Sequence, residues 1–472
     1  MGWECVIGLE VHVQLATRTK MFCAQANAFG HEPNSLIDPY TLGLPGALPV
    51  PNAEAVALGT RAALALGCTV HPVSIFARKH YFYPDLPKGY QISQFEEPLA
   101  TRGQVEIESP ERGRIAIGVT RLHLEEDAGK SLHDRLSGRT AVDLNRAGVP
   151  LAEIVSEPDL RSPAEARAYL TTLRQLLVYA GASDCSMERG TLRVDANISV
   201  RRVGETRLGT KTEVKNLNSF ANVERALEVE HARQVALLEA GGTVRQVTLL
   251  FNAATGQTRE LRSKEESNDY RYFPDPDLPP LVLEPAWIEQ QRAALPELPA
   301  ARRERFGAQF GLPAYHAATL CAERRVADYF EGVVEAGADP KAAADWVLET
   351  VLTDYNERGA FPVPAERLAA VIALVRDGTI GKQAAKAVYA ELHGTQETPR
   401  AVAERLGVIQ VSDTGAIEGW VDEVLAAHAG EVARYRAGEA KLMGFFVGQV
   451  MKKSRGKADP KAVQPVLQAR LG

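Results

Sequence analysis

Four short stretches of this chain put carboxylates and imidazoles at every second position. Gly8–Leu15 (GLEVHVQL) sets Glu10, His12 and Gln14 against Leu9, Val11, Val13 and Leu15. Leu192–Val200 (LRVDANISV) does the same with Arg193, Asp195, Asn197 and Ser199, and Thr120–Glu125 with His123 and Glu125 before running into Glu126. Leu151–Val155 carries Glu153 inside an apolar run. A period of two is the mark of a β-strand with one buried face. For an isolated strand the polar face is ordinarily just wet. A carboxylate in apolar surroundings is costly unless paired or bound to a cation, so four such segments point to a shared cation site. Hard oxygen ligands suit Mg²⁺, which escorts nucleotide phosphates through a few carboxylates and retained water. His12 suits Mg²⁺ less well, which places it behind the direct ligands or makes Mn²⁺ the alternative.

Basic residues able to hold phosphates lie close by in sequence: Arg78, Lys79, Lys88, Lys211 and Lys215. Ala128–Ser131 (AGKS) imitates the end of a P-loop, but the glycine required five residues before Gly129 is Leu124. No dinucleotide-type glycine fingerprint follows a strand. ATP, if bound, must therefore sit on a sheet face, held by metal and side chains.

The elements that would position these groups are a strand-rich N-terminal part and a helical remainder. The expected class is α+β, with a sheet-based domain over 1–293, an all-helical domain over 294–400 and a small helical tail over 401–472. Ser162-Pro163-Ala164-Glu165 is a capping box opening a helix that Gly181 ends, and a second helix spans about 221–240 before Gly241-Gly242. Composition shifts to Ala-rich, helix-periodic sequence near Pro296–Pro299, with starts at Asp339-Pro340 and Pro364 and stops at Gly359 and Gly378. Five dispersed cysteines without a C-x-x-C pair argue for reduced thiols and against zinc. No run approaches the ~20 apolar residues of a membrane span, and no secretory leader pattern opens the chain. A cytoplasmic protein is the expectation. Lys441–Gly472 holds seven basic residues against one acid, so this end carries +6 and the remainder −12 of a total of −6. That asymmetry suggests an anionic partner at one end.

Longer stretches carry a resemblance. Asp143–Pro163 (DLNRAGVPLAEIVSEPDLRSP), Lys79–Gln94 (KHYFYPDLPKGYQISQ), Arg121–Ser131 (RLHLEEDAGKS), Leu192–Val200, Glu213–Phe220 (EVKNLNSF), Asn268–Leu281 (NDYRYFPDPDLPPL) and Met443–Pro460 (MGFFVGQVMKKSRGKADP) resemble the B subunit of the aspartyl/glutamyl-tRNA amidotransferases, in order and across the whole chain.

The resemblance implies an enzyme subunit that uses ATP to phosphorylate the side-chain carboxylate of Glu-tRNA(Gln), Asp-tRNA(Asn) or both, after which ammonia displaces phosphate. It implies a cradle fold of the glutamine-synthetase/guanidino-kinase type, then helical and YqeY-like tRNA-binding tail domains. The implied partners are an ammonia-producing amidase A subunit and a small C subunit in a heterotrimer, misacylated tRNA, and a non-discriminating aminoacyl-tRNA synthetase. Carried over residue by residue, the family's catalytic and Mg²⁺ site falls on Glu10, His12, the pair Glu125 and Glu126 (which of the two ligates being left open), Glu153 and Asp195. ATP and phosphate contacts fall to Arg78, Lys79, Lys88, Lys211 and Lys215, and tRNA contacts to Lys452, Lys453, Arg455 and Lys457. No amidase nucleophile motif occurs here, which fits an external ammonia source. Two rivals stand beside this reading. One is a non-catalytic tRNA scaffold; the other is an aminoacyl-tRNA synthetase, for which MKKSRGK lacks a HIGH-like partner motif.

Overall fold

The computed structural model describes residues 2–136, 138–263, 270–410, 414–454 and 458–472. It divides into two compact units, Met1–Pro299 and Ala300–Gly472. The first is built on a nine-stranded sheet. Its strands in chain order are β1 (Trp3–Gln14), β2 (Thr69–Val70), β3 (Ala100–Ser109), β4 (Gly113–Glu126), β5 (Pro150–Ser156), β6 (Leu192–Arg202), β7 (Thr212–Leu217), β8 (Val247–Asn252) and β9 (Gln257–Ser263). Across the sheet they run β9-β8-β7-β6-β1-β5-β4-β3-β2, all neighbours antiparallel except β7 and β8.

The opening strand thus becomes the centre of the sheet. Ile7, Leu9, Val11 and Val13 are fully buried on one face, each contributing on the order of 1.5–3 kcal/mol of transfer free energy. Helices α1 (Ala53–Ala65), α2 (Pro163–Tyr179) and α3 (Phe220–Glu239) cover that face. The approach of α1 to β4 is close: a Cβ on Gly59 would lie 2.6 Å from Leu124 Cδ2. Helix α2 is capped by Ser162, whose hydroxyl accepts from the Glu165 amide. Glu165 departs from the capping-box pattern: its carboxylate takes the Arg161 amide at 2.7 Å instead of the Ser162 amide. Ser219 caps α3, and Gly241 (φ +78°) follows its end.

The second unit is helical and holds two apolar cores. One gathers Phe306, Phe330, Val347, Leu368 and Tyr389; the other gathers Ile417, Val421, Phe446, Val450, Val463 and Leu467. Asp339 caps the helix starting at Pro340, and Gly359 (φ +68°) stops Leu352–Arg358. Between them Val347–Val351 forms a single wide helical turn.

Candidate active site

Opposite the helices, the polar positions of adjacent strands fall into rows. Cross-strand register aligns His123 (β4), Glu153 (β5), His12 (β1) and Arg193 (β6) in one row. The next row holds Arg121, Val155, Glu10 and Asp195. Directly opposed residues in an antiparallel pair have Cβ atoms about 4.5–5.5 Å apart, so the first row must form contacts. His12 Nε2 lies 3.3 Å from Glu153 Oε2 and 3.7 Å from Glu125 Oε1. His123 Nε2 approaches the same two carboxylates at 3.3 and 3.7 Å. Ser93 donates its hydroxyl to Glu125 at 3.1 Å. The rows face a cavity of about 330 Å³, lined also by Lys79, Glu213, Lys215, Phe95, Tyr270 and Tyr272.

Charge is unevenly balanced here. Burial alone would push the imidazoles toward the neutral form, but the hydrogen bond to Glu153 and the two nearby carboxylates outweigh it at His12 and hold its pKa above the ordinary value. At His123 burial is likewise overcome by the Glu153 charge and by hydrogen bonds to both glutamates, lifting it to about 9. Burial would raise both carboxyls, yet the histidines keep Glu125 below and Glu153 well below the usual carboxylate range. At Lys79 and Lys215 the depressing effect of burial is outweighed, by the charge of Glu125 at Lys79 and of Asp195 at Lys215, so both ammoniums are held above their ordinary value.

The donors fit a divalent cation. One ligand atom from each of His12, Glu125 and Glu153 lies within 4.8 Å of the others, and two opposed Mg²⁺ or Ca²⁺ bonds span about 4–5 Å. His12 offers its lone pair only when neutral, so a cation and a proton compete there. The structure therefore gathers three of the six residues expected at the metal. Glu10 and Asp195 occupy the adjoining row, where Glu10 accepts from Asn197 Nδ2 at 3.0 Å and Asp195 takes Lys215 Nζ. Glu126 turns the other way: it binds Lys88 Nζ, Tyr40 Oη at 3.1 Å and the Ile92 amide at 3.0 Å.

The five basic residues expected at phosphates also separate. Lys79 and Lys215 line the cavity. Arg78 forks onto Asp275 and Asp277, both at 2.8 Å, and Lys88 is held by Glu126 and Tyr40. Lys211 lines a separate, mostly apolar pocket of about 270 Å³ that shares only Glu10 with the cavity.

Comparison with known proteins agrees with this architecture. Residues 5–289 match the family model for the GatB/GatE catalytic domain, and residues 328–471 match the GatB domain model. Over its whole length the chain is 51% identical to the B subunit of the aspartyl/glutamyl-tRNA(Asn/Gln) amidotransferase of Geobacter sulfurreducens. It is 52% identical to that of Alkalilimnicola ehrlichii and 51% identical to that of Moorella thermoacetica, again covering all of each relative. The chain belongs to the GatB family of amidotransferase B subunits.

Several groups that line the cavity of this GatB-family chain were not among the residues expected at the site. His123 and Arg121 stand two and four residues before Glu125, on the same strand face, so strand parity carried the signal for both. Glu213, Tyr270 and Tyr272 reach the cavity from β7 and from the chain beyond β9. Strand parity does not mark them, and the signal for them was their place in the stretches Glu213–Phe220 and Asn268–Leu281 that carry the resemblance. Of the residues expected at tRNA, Lys452 and Lys453 end the helix Leu442–Lys453, and Lys453 pairs with Glu423 at 2.5 Å. Arg455 and Lys457 lie outside the described residues. No helix among the described residues is long and apolar enough to cross a membrane.

Proposed function

We propose that this chain is the ATP-dependent transamidating subunit of a glutamyl/aspartyl-tRNA amidotransferase, its N-terminal unit acting as a kinase cradle of the glutamine-synthetase type. The observation that carries the proposal is the His12–Glu125–Glu153 cluster, two of whose members, His12 and Glu153, line a cavity together with Lys79 and Lys215. A carboxylate is a poor acyl donor because its leaving group would be oxide. In the proposed first step an oxygen of the tRNA-borne side-chain carboxylate bonds to the γ-phosphorus of ATP. The bond from that phosphorus to the β,γ-bridging oxygen breaks, and ADP leaves with the electron pair. Ammonia then attacks the acyl carbon, the carbon–oxygen bond breaks, and phosphate departs carrying one ammonia proton.

Such transfer asks chiefly for positioning and charge neutralisation. Lys79 and Lys215 supply positive charge at the cavity wall. Tyr270, Tyr272 and Phe95 restrict water, which would otherwise hydrolyse an acyl phosphate. Mg²⁺, or Mn²⁺ in its place, held by His12, Glu125 and Glu153, would add Lewis-acid neutralisation of phosphate oxygens. Glu10 and Asp195 would act from the adjoining row. Ammonia would come from a companion amidase subunit, with a small third subunit completing the assembly. The basic C-terminal helices would track tRNA phosphates, so that 1–293, 294–400 and 401–472 serve as cradle, helical and tail domains.

The test is product analysis on the assembled complex given ATP, ammonia and Glu-tRNA(Gln) or Asp-tRNA(Asn). ADP, phosphate and the amidated tRNA are expected in equal amounts. AMP with pyrophosphate would instead indicate a synthetase, and absence of nucleotide turnover a scaffold.

A further inference from the structure

The cations around the sheet face are mostly neutralised by the protein itself. Lys215 meets Asp195, Arg193 meets Asp127, Lys88 meets Glu126 and Arg78 meets Asp275. Arg121 is different. It lines the cavity, yet among the described residues no carboxylate lies within ion-pair distance of its guanidinium. Its Nε is buried with no hydrogen-bond acceptor. The contact it does make is aromatic: its guanidinium carbon lies 5.9 Å from the centre of the Phe95 ring, which itself stacks on Tyr272 at 4.2 Å and 8°. An aromatic surface orients a guanidinium without using any of its donors.

A buried donor with no acceptor, as at Arg121 Nε, is unfavourable unless a partner arrives. Register says where that partner would sit. Arg121 shares its strand face with His123 and Glu125, about 7 Å along β4 from His123, and shares a cross-strand row with Glu10. The guanidinium therefore borders the same cavity as His12 and Glu153 of the cluster, one row away from them. A planar fork of donors matches a tetrahedral oxyanion in two parallel bonds, which an ammonium cannot do.

We infer that Arg121 is the seat of the phosphoryl group in this site, binding its oxygens in the row beside the His12–Glu125–Glu153 cluster, with Phe95 holding the guanidinium in place. The inference rests on the transamidation reading for the origin of the phosphoryl group. The anion seat itself can be tested without turnover.

The experiment uses the assembled complex carrying Arg121→Ala or Arg121→Lys, with inorganic phosphate as the probe. Phosphate binding is measured by calorimetry in the presence of Mg²⁺ and ADP, and ADP formation is followed separately with misacylated tRNA. Glutamine hydrolysis by the companion subunit reports assembly. Arg121→Ala is expected to weaken phosphate binding about tenfold or more and to slow ADP formation about 10²–10³-fold, with the KM for aminoacyl-tRNA within about twofold of wild type. Arg121→Lys should fall between, and added guanidinium should restore part of the Arg121→Ala rate. Unchanged phosphate affinity in Arg121→Ala overturns the inference. So does a raised KM for aminoacyl-tRNA with phosphate binding intact, since the guanidinium would then hold the substrate carboxylate. If the wild-type complex formed no ADP, the transamidation reading would fail, while loss of phosphate affinity in Arg121→Ala would still locate the anion seat.

Discussion

Two buried ionic clusters in the N-terminal unit look alike by composition and differ in how they are satisfied. Glu165, at the start of α2, accepts from Arg112 Nε at 2.7 Å, from Arg112 Nη2, from Ser109 Oγ at 2.7 Å and from the Arg161 amide at 2.7 Å. Its capacity is filled, and its partner is an arginine that keeps its charge at any physiological pH. The His12–Glu125–Glu153–His123 cluster crowds two carboxylates against two imidazoles at 3.3–3.7 Å, and His123 Nδ1 is buried without a partner. Its cations can shed their protons. The first arrangement ties a helix to a sheet edge; the second is open to exchange charge with something that enters. Burial alone does not separate structure from function. Satisfaction and the ability of the partners to neutralise do.

Glutamine substitutions should pull the two apart. Glu153→Gln is expected to lower ADP formation by about 10³-fold while moving stability by less than about 1 kcal/mol, because His12 and His123 can release their protons once the carboxylate is gone. A divalent cation should raise the wild-type melting temperature and leave that of Glu153→Gln nearly unmoved. A Glu153→Gln protein that melts far below wild type would assign this cluster to structure as well.

The reverse result is expected at Glu165. Glu165→Gln strands the Arg112 charge, and because Arg112 is 38% exposed and can rehydrate, the cost should be about 2 kcal/mol, below the usual figure for a fully buried pair. Denaturant midpoints measure it, and activity per folded molecule should be unchanged. Burial would raise the Glu165 carboxyl, but the Arg112 hydrogen bond and the Arg161 amide outweigh it and hold its pKa below the ordinary 4.5. A depressed folded pKa contributes stability that is fully present above the unfolded value and lost as pH falls through the folded one. Wild type should therefore lose more stability than Glu165→Gln as pH drops below about 4.5. Parallel acid limbs would show that the pair contributes nothing.

How much of this was readable beforehand follows from the range of each interaction. Glu10, His12 and Glu153 stood out because strand parity separates faces with a period of two. Parity also bears on the Glu125–Glu126 pair, but only while the strand continues. Strand β4 runs through Glu126, so Glu125 faces His12 and Glu126 faces Lys88. The register that sets Glu153 between His12 and His123 is a property of three strands, and a one-residue slip would have undone it. Basic residues were the least legible. Arg78 is neutralised by Asp275, 197 residues away, and Lys88 by Glu126, 38 residues away. Local sequence cannot tell a spent cation from an available one such as Arg121. Helix ends were easier, since Ser162, Ser219, Asp339 and Gly359 act on neighbours within one turn. The wide turn at Val347–Val351 has no such local mark.

The same distinction between satisfied and available charge gives the smallest expected effect at the C-terminal helix Leu442–Lys453. Its apolar side buries Phe446 and Val450 in the last core, leaving Lys452 and Lys453 exposed. Lys453 is paired with Glu423, whereas Lys452 makes no ion pair among the described residues. A lysine that neutralises an RNA phosphate releases about one counterion, and its removal flattens the dependence of log affinity on log salt by about one unit. Lys452→Ala should therefore reduce the salt slope of tRNA binding by about 1. Lys453→Ala should reduce it by less, because its charge is already partly offset by Glu423. Equal slopes for the two variants would mean that RNA strips Lys453 from its glutamate, and that pairing within the free protein does not rank these contacts.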